Sequence, residues 1–111
     1  MKEEYKQNFH IDVKVPWYKY DEIHSFIEGI LENLSELPIY LGYLRYDYLS
    51  CKFCQICFDL ENEWSVNMSY FDKENSFQCA VIKEEDNIIR FEDKSLSVIV
   101  SLIKKEISYA E

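Results

Sequence analysis

The sequence contains few of the residues that allow tight turns and close backbone approaches. Only two glycines (Gly29, Gly42) and two prolines (Pro16, Pro38) occur among its 111 residues, and threonine is absent. This scarcity argues against long linkers, internal repeats and the glycine-rich loops that hold phosphate groups. A function that depends on binding a nucleotide is therefore disfavoured.

Long apolar runs are also missing. No run approaches the roughly 20 apolar residues that a membrane span requires, and the opening residues MKEEYKQN lack the apolar centre of a signal peptide. We expect one cytoplasmic domain over residues 1–111, with residues 1–7 as a flexible tail. In that compartment the four cysteines should be reduced thiols.

Basic residues are outnumbered, with 12 Lys and Arg against 21 Asp and Glu, for a net charge of −9. The excess is local: residues 21–36 carry five acids and no base, and residues 59–93 carry ten acids and three bases. Each of the three remaining segments has a net charge of +1. Binding to nucleic acid requires a basic face and is disfavoured. A basic partner protein is favoured, although solubility alone could also explain the charge.

The spacing of apolar residues changes between a period of two and a period near 3.6 along the chain. Short polar breaks separate the period-two segments, as in an antiparallel meander. Asp21 is the predicted N-cap of the first helix, and Gly29 within that helix suggests a closely packed strand. The predicted strands are 8–15, 39–49, 51–60, 63–71, 76–82 and 87–91, and the predicted helices are 21–37 and 93–109.

Two amphipathic helices need an apolar surface, and one face of a six-stranded sheet supplies it. The sequence therefore predicts an α+β fold, with an antiparallel, curved six-stranded sheet and both helices on one face. The predicted order is β-α-β-β-β-β-β-α.

Three cysteines share the segment CKFCQICF at 51–58, with Cys-x-x-Cys-x-x-Cys spacing, and Cys79 is the fourth. Zinc sites usually take such pairs from a tight turn, but this segment contains neither glycine nor proline. Alternation along a strand would direct Cys54 to one face and Cys51 and Cys57 to the other. We interpret the thiols as apolar packing residues and expect no metal or cofactor.

The predicted turns between strands are acidic. Alternate turns of a meander lie at the same end of a sheet, so the turns at 61–63 and 83–87 should bring five acids together. Carboxylates at turns are usually solvated, but this many would help most against a basic partner. The candidate partner-binding acids are Glu61, Glu63, Asp72, Glu74, Glu84, Glu85 and Asp86.

Tyrosine is frequent, with nine residues, four of them in the strand at 39–49. Half or more should line the core, and the rest would present flat rings of the kind found at binding hot spots. We add Tyr43 and Asp47 to the partner-binding candidates. Alternation places Tyr40, Leu44, Tyr46 and Tyr48 on one face and Tyr43, Arg45 and Asp47 on the other.

No arrangement of residues predicts catalysis. His10 and His24 are the only histidines, and no local motif pairs either one with a cysteine. Carboxylates are too numerous to mark an acid–base pair. We therefore expect a protein that is not an enzyme.

Length, acidity, the α+β order and the absence of a catalytic motif resemble the immunity proteins of bacterial polymorphic-toxin and contact-dependent growth inhibition systems. The resemblance implies a cytoplasmic protein that binds one cognate toxin, such as a basic nuclease, and neutralises it. It assigns no function to individual residues. Phage-encoded inhibitors of host defence have similar electrostatics.

Two other hypotheses remain open. The order of elements is similar to helix-grip folds, in which the last helix closes a curved sheet over a cavity for a small molecule. An acidic dimer resembling secretion chaperones could hold a client segment along a sheet edge. Oligomeric state is left open by the sequence.

Overall fold

The structure, a computed structural model, describes residues 9–48 and 53–110, so the predicted tail at 1–7 and Cys51 lie outside the described residues. The predicted fold class and order of elements are confirmed. The strands are β1 (Phe9–Lys14), β2 (Ile39–Asp47), β3 (Phe53–Leu60), β4 (Ser65–Phe71), β5 (Ser76–Ile82) and β6 (Ile88–Asp93), and the helices are α1 (Tyr20–Leu34) and α2 (Leu96–Ala110).

The six strands form one sheet in the order β1-β2-β3-β4-β5-β6. Four of the neighbouring pairs are antiparallel, as predicted, but β1 pairs with β2 in parallel, with Phe9 opposite Gly42 and Lys14 opposite Asp47. The prediction of an entirely antiparallel sheet was therefore wrong at this edge. Helix α1 connects β1 to β2, and a helix returns the chain to the end of the sheet where the first strand began.

Both helices pack on one face of the sheet. Phe26 of α1 has ring contacts with Tyr46 of β2 and Tyr70 of β4, and α2 contacts β5, β6 and α1. The alternate strand residues on this inner face are buried together with the apolar stripes of the helices. The fully buried side chains include Leu31, Leu34, Leu44, Ile56, Val66, Val81, Ile99 and Ile103.

Two local predictions about α1 were wrong. The helix begins at Tyr20 with Lys19 at the N-cap position. Asp21 therefore lies in the first turn, where its negative charge interacts favourably with the positive end of the helix dipole. Gly29 does not mark a close approach, since among the described residues nothing outside the helix's own backbone lies within 4 Å of a Cβ built there.

The alternation predicted for the cysteines is confirmed where the structure describes them. Cys54 lies in the core between the two neighbouring strands, and Cys57 is half-buried on the opposite face. Cys79 is also in the core, opposite Met68 and Phe91. Burial raises the pKa of both core thiols to about 12 and raises that of Cys57. Neutral, buried thiols of this kind are poor nucleophiles at pH 7.

Candidate protein-binding surface

Two of the acidic turns lie at the same end of the sheet, as predicted. Ser65 at the start of β4 is paired with Ile82 at the end of β5, which places the turns before β4 and after β5 side by side. The first carries Glu61 and Glu63, and the second is the short 3-10 turn Glu84–Asp86. The side chains of Glu61, Glu63, Glu84 and Glu85 are exposed, and that of Asp86 lies outside what the structure describes.

Both helices end at this same end of the sheet. Helix α1 finishes at Leu34, and the connection to β2 reaches the turn after β3, where the Glu61 amide donates to the Pro38 carbonyl at 2.9 Å. The last turn of α1, which is fully described, contains no basic residue. Helix α2 runs in the same direction, because Lys104 in its second half donates a 3.0 Å hydrogen bond to Glu36, just beyond the end of α1. The C-terminal ends of the two helix dipoles add partial negative charge to that of the turns.

We call this part of the molecule the acidic end. Two of its lysines are already paired with acids: Lys104 with Glu36, and Lys83 with Glu106. Lys83 also lies over the Trp64 ring, with its Nζ 4.9 Å from the ring centroid. These ion pairs attach α2 to the connection after α1 and to the residue that follows β5. The acidic end is defined by Glu36, Glu61, Glu63, Glu84 and Glu85.

Glutamate occupies a left-handed backbone position in each of the two acidic turns. Glu63 has φ of 73° and Glu85 has φ of 55°. A side chain with a Cβ is disfavoured there by about 1 kcal/mol, which is why glycine or asparagine is usual at such positions. The third described non-glycine residue at positive φ is Asn75, in the turn at the opposite end. Both glutamates are therefore held at positions where glycine would be more stable.

The remaining predicted acids do not join this group. Asp72 and Glu74 are exposed in the turn between β4 and β5, at the opposite end of the sheet. Asp72 lies close enough to Tyr46 and Tyr70 to add to the burial effect that raises the pKa of both hydroxyls. We call this opposite end, where both helices begin, the far end.

Asp47 and Tyr43 also lie apart from the acidic end. Asp47 is only 8% exposed, with its carboxylate 3.9 Å from the Arg45 guanidinium. Its assignment to a partner-binding surface is therefore not supported by its accessibility. Tyr43 lies on the open face of the sheet, stacked on His10 with ring centroids 5.4 Å apart. Sequence reasoning placed these two residues on the same face of the strand, but it did not bring them to the acids.

Two exposed tyrosines lie at the acidic end and were not among the candidates. Tyr40 is 70% exposed, because the register shifts between Ile39 and Leu41 and removes it from the face of Leu44. Tyr109 is 75% exposed near the end of α2. The terminal position of Tyr109 on a predicted helix could have suggested it. The irregularity at Tyr40 has no signal in the sequence.

Other kinds of site find less support in the geometry. The space between helices and sheet, where a helix-grip fold holds its ligand, is filled by fully buried side chains. The open face carries a shallow groove of about 440 Å³ with Gln55, Asn67, Gln78 and Arg90 along it. Within residues 9–48 and 53–110, no three His, Cys, Asp or Glu side chains are grouped to hold a metal ion.

Comparison with known proteins yields no relative. No protein-family model, no curated protein and no solved structure matches the chain. Of the two helices that the structure describes, neither combines the length and apolar character needed to cross a bilayer.

Proposed function

We propose that this protein is a cytoplasmic inhibitor that uses its acidic end to cover a basic surface on one cognate protein, as an immunity protein covers its toxin. The observation that carries the proposal is the convergence at one end of two exposed acidic turns and the negative ends of both helices. These charges repel one another in the free protein, and a basic partner would relieve that repulsion.

Binding would combine steering with anchoring. The field of the acidic end accelerates the encounter with a basic surface, and this acceleration falls as salt screens the charges. The exposed rings of Tyr40 and Tyr109 supply flat apolar contact area at low entropic cost. A nuclease fits this requirement, because an enzyme that binds phosphates has a basic active site.

The left-handed glutamates support the same proposal. A turn selected for stability alone would use glycine at positions 63 and 85, since glycine adopts positive φ without a steric penalty. A carboxylate at each position instead projects charge from the acidic end. Function in partner binding explains why that conformational cost is tolerated.

The proposal is tested by genetics and then by charge variants. Reading frames adjacent to this chain's gene are expressed singly in a test bacterium, with and without this protein. We expect one neighbour to encode a basic protein that stops growth and is neutralised by coexpression. Binding of the purified pair should show an association rate that falls steeply with salt. A neighbouring toxin that this protein fails to neutralise, or a salt-independent association rate, would contradict the proposal.

A matched pair of variants localises the contact. The acidic-end variant carries Glu61→Gln, Glu63→Gln, Glu84→Gln and Glu85→Gln, and the far-end control carries Asp21→Asn, Glu22→Gln, Asp72→Asn and Glu74→Gln. Both raise the net charge by four. We expect the acidic-end variant to weaken toxin binding about tenfold or more, while the control stays near wild type. Equal losses in the two variants would exclude the acidic end as the contact surface.

A further inference from the structure

Strand β1 forms one edge of the sheet and has hydrogen-bonding groups directed away from its neighbour. The Tyr48 amide donates to the Lys14 carbonyl at 2.9 Å, so the backbone groups of Lys14 face β2. Successive residues of a strand direct these groups to opposite sides. Those of Phe9, Ile11 and Val13 therefore face outward. An edge of this kind is a template for pairing with another strand.

An apolar groove of about 390 Å³ runs beside this edge, between β1 and α1. The half-buried side chains of Ile11, Val13 and Val15 form one wall, and Tyr20 and His24 form the other, stacked on each other with centroids 5.3 Å apart. A strand added to the β1 edge would direct alternate side chains into this groove. Those side chains should be apolar and about the size of valine or isoleucine.

We propose that the occupant is β1 of a second copy of this chain, paired antiparallel about Val13, so that two sheets join into one of twelve strands. In such a pair, the residues whose backbone groups face the partner strand lie opposite one another. Only registers that pair odd-numbered residues with odd-numbered residues are therefore allowed. With Val13 opposite Val13 of the second copy, Ile11 lies opposite Val15 of that copy. The pairing forms about six hydrogen bonds between the chains.

Charge favours this register over the one centred on Asp12. With Val13 at the centre, Asp12 lies opposite Lys14 of the second copy, and the symmetry repeats this ion pair. A register shifted to put Asp12 at the centre would oppose two aspartates and set His10 against Lys14. Two charged side chains directly across from one another on a sheet face stabilise the strand pair when their charges differ in sign and destabilise it when the charges are alike. The β1 edge is thus complementary to itself in charge when Val13 lies at the centre.

The surroundings of β1 also suit a second copy. The described residues 9–20 carry two bases and one acid, so two chains can approach here without the repulsion of their acidic ends. The same register brings the 3-10 turn Trp17–Lys19 level with the start of the other β1. Trp17 is 86% exposed in the single chain and would gain contacts there.

The surface at β1 is separate from the acidic end, so this inference does not rest on the proposed function. Its test is the oligomeric state of the full chain, measured by sedimentation equilibrium. We expect a dimer that dissociates on dilution. Asp12→Lys places two like-charged pairs at the centre, and Lys14→Asp does the same with opposite sign. Each should weaken the dimer roughly tenfold.

Two combinations separate pairing between chains from effects within one chain. The double variant Asp12→Lys/Lys14→Asp restores both ion pairs across the two-fold axis. Within each chain it is unfavourable, because the new lysine lies beside Arg45 and the new aspartate lies beside Asp47. A 1:1 mixture of the two single variants likewise makes both pairs complementary. We expect dimers from the double variant and from the mixture. Recovery of the dimer in either case cannot come from contacts within a single chain, because the substitutions place like charges side by side there.

A matched control uses the other edge of the sheet. Glu92→Lys makes the same charge change on the exposed face of β6 and should leave the dimer unchanged. Hydrogen exchange gives a second readout, because the outward amides of Ile11 and Val13 should be protected only in the dimer. A wild-type chain that stays monomeric up to its solubility limit would overturn the proposal. So would single variants that dimerise like wild type, or exchange at Ile11 and Val13 that is independent of concentration.

Discussion

The ring of Phe9 occupies the space that a side chain at Gly42 would need. The two residues are opposite one another in the parallel pair β1–β2, and a Cβ at position 42 would lie 2.7 Å from Phe9 Cδ1. Phe9 in turn packs edge-on against Phe58, with centroids 6.2 Å apart. Glycine at this position therefore lets β1 place its first aromatic ring over the neighbouring strand.

Gly42→Ala should destabilise the protein by about 1–3 kcal/mol, because the added methyl group forces the Phe9 ring out of its position. The ring carbons are the nearest atoms, so the loss should fall on the attachment of β1. Urea unfolding gives the change in free energy, and hydrogen exchange in β1 locates it. An unchanged unfolding free energy would mean that Phe9 repacks without cost.

Gly29→Ala should have the opposite effect. The position is helical and, among the described residues, nothing outside the helix backbone lies within 4 Å of the added carbon. Alanine in a helix interior is more stable than glycine by about 0.5–1 kcal/mol. The same urea titration measures the gain. Destabilisation would show that this part of α1 is packed more tightly than described.

Replacing the left-handed glutamates should raise stability and weaken partner binding. Glu63→Gly and Glu85→Gly each remove a Cβ from a backbone at positive φ, for an expected gain of about 0.5–1 kcal/mol in the free energy of unfolding. Asn75→Gly is the matched control at the far end. Asparagine tolerates this conformation, and its Oδ1 accepts a 2.8 Å bond from the Tyr70 hydroxyl, so no gain is expected there. A similar gain in all three would mean that glutamate has no greater conformational cost than asparagine at such positions.

The thiols should differ in their reaction with a water-soluble disulfide reagent. In a Cys51→Ser background, Cys57 should react in the folded protein, because it is half-buried on the open face. Cys54 and Cys79 are buried in the core and should react only as fast as the protein opens. A titration in native buffer and then in denaturant counts the thiols in each class. Prompt reaction of all three would contradict the described core.

Alkaline pH should lower stability through the core thiols. Burial raises the pKa of Cys54 and Cys79 from 9.0 to about 12, so the unfolded chain releases these protons first as pH rises. The stabilisation is complete below pH 9 and is lost as pH rises towards about 12, at up to about 1.4 kcal/mol per pH unit for each thiol. Cys54→Ala should make the dependence on pH shallower over that range. An unchanged slope would assign the alkaline loss to Tyr46 and Tyr70.

The fold could be predicted because apolar periodicity is a local signal that matches the core. Val66 and Met68, which the alternation in β4 predicts to face inward, are buried, and so are Ile99 and Ile103 of the helical stripe. The parallel direction of β1 was missed, although the predicted order of strand, helix and strand indicates it, because a helix between two paired strands returns the chain so that they run in parallel. The role of Gly42 could not be predicted, because it depends on the Phe9 ring more than thirty residues away.

The acidic end was predictable in part. A meander places alternate turns together, and this rule brought Glu61 and Glu63 near Glu84 and Glu85. The helix ends could not be added from sequence, because their direction follows from where α1 and α2 dock. Exposure of Tyr40 depends on one irregularity at the start of β2. Such irregularities change which face a residue occupies without changing the pattern of residue types.

The spatial order of the strands repeats their order in the chain, and this has a consequence for how the molecule assembles. From β2 onward, each strand meets the next through a short connection, so loop closure costs little entropy. Strand β1 alone must wait for a whole helix to form and dock before its partner comes within reach. We expect the meander to form first and β1 to be attached last. The edge strand should then also be the first part released, which makes its attachment the step that a partner or a second copy most readily influences.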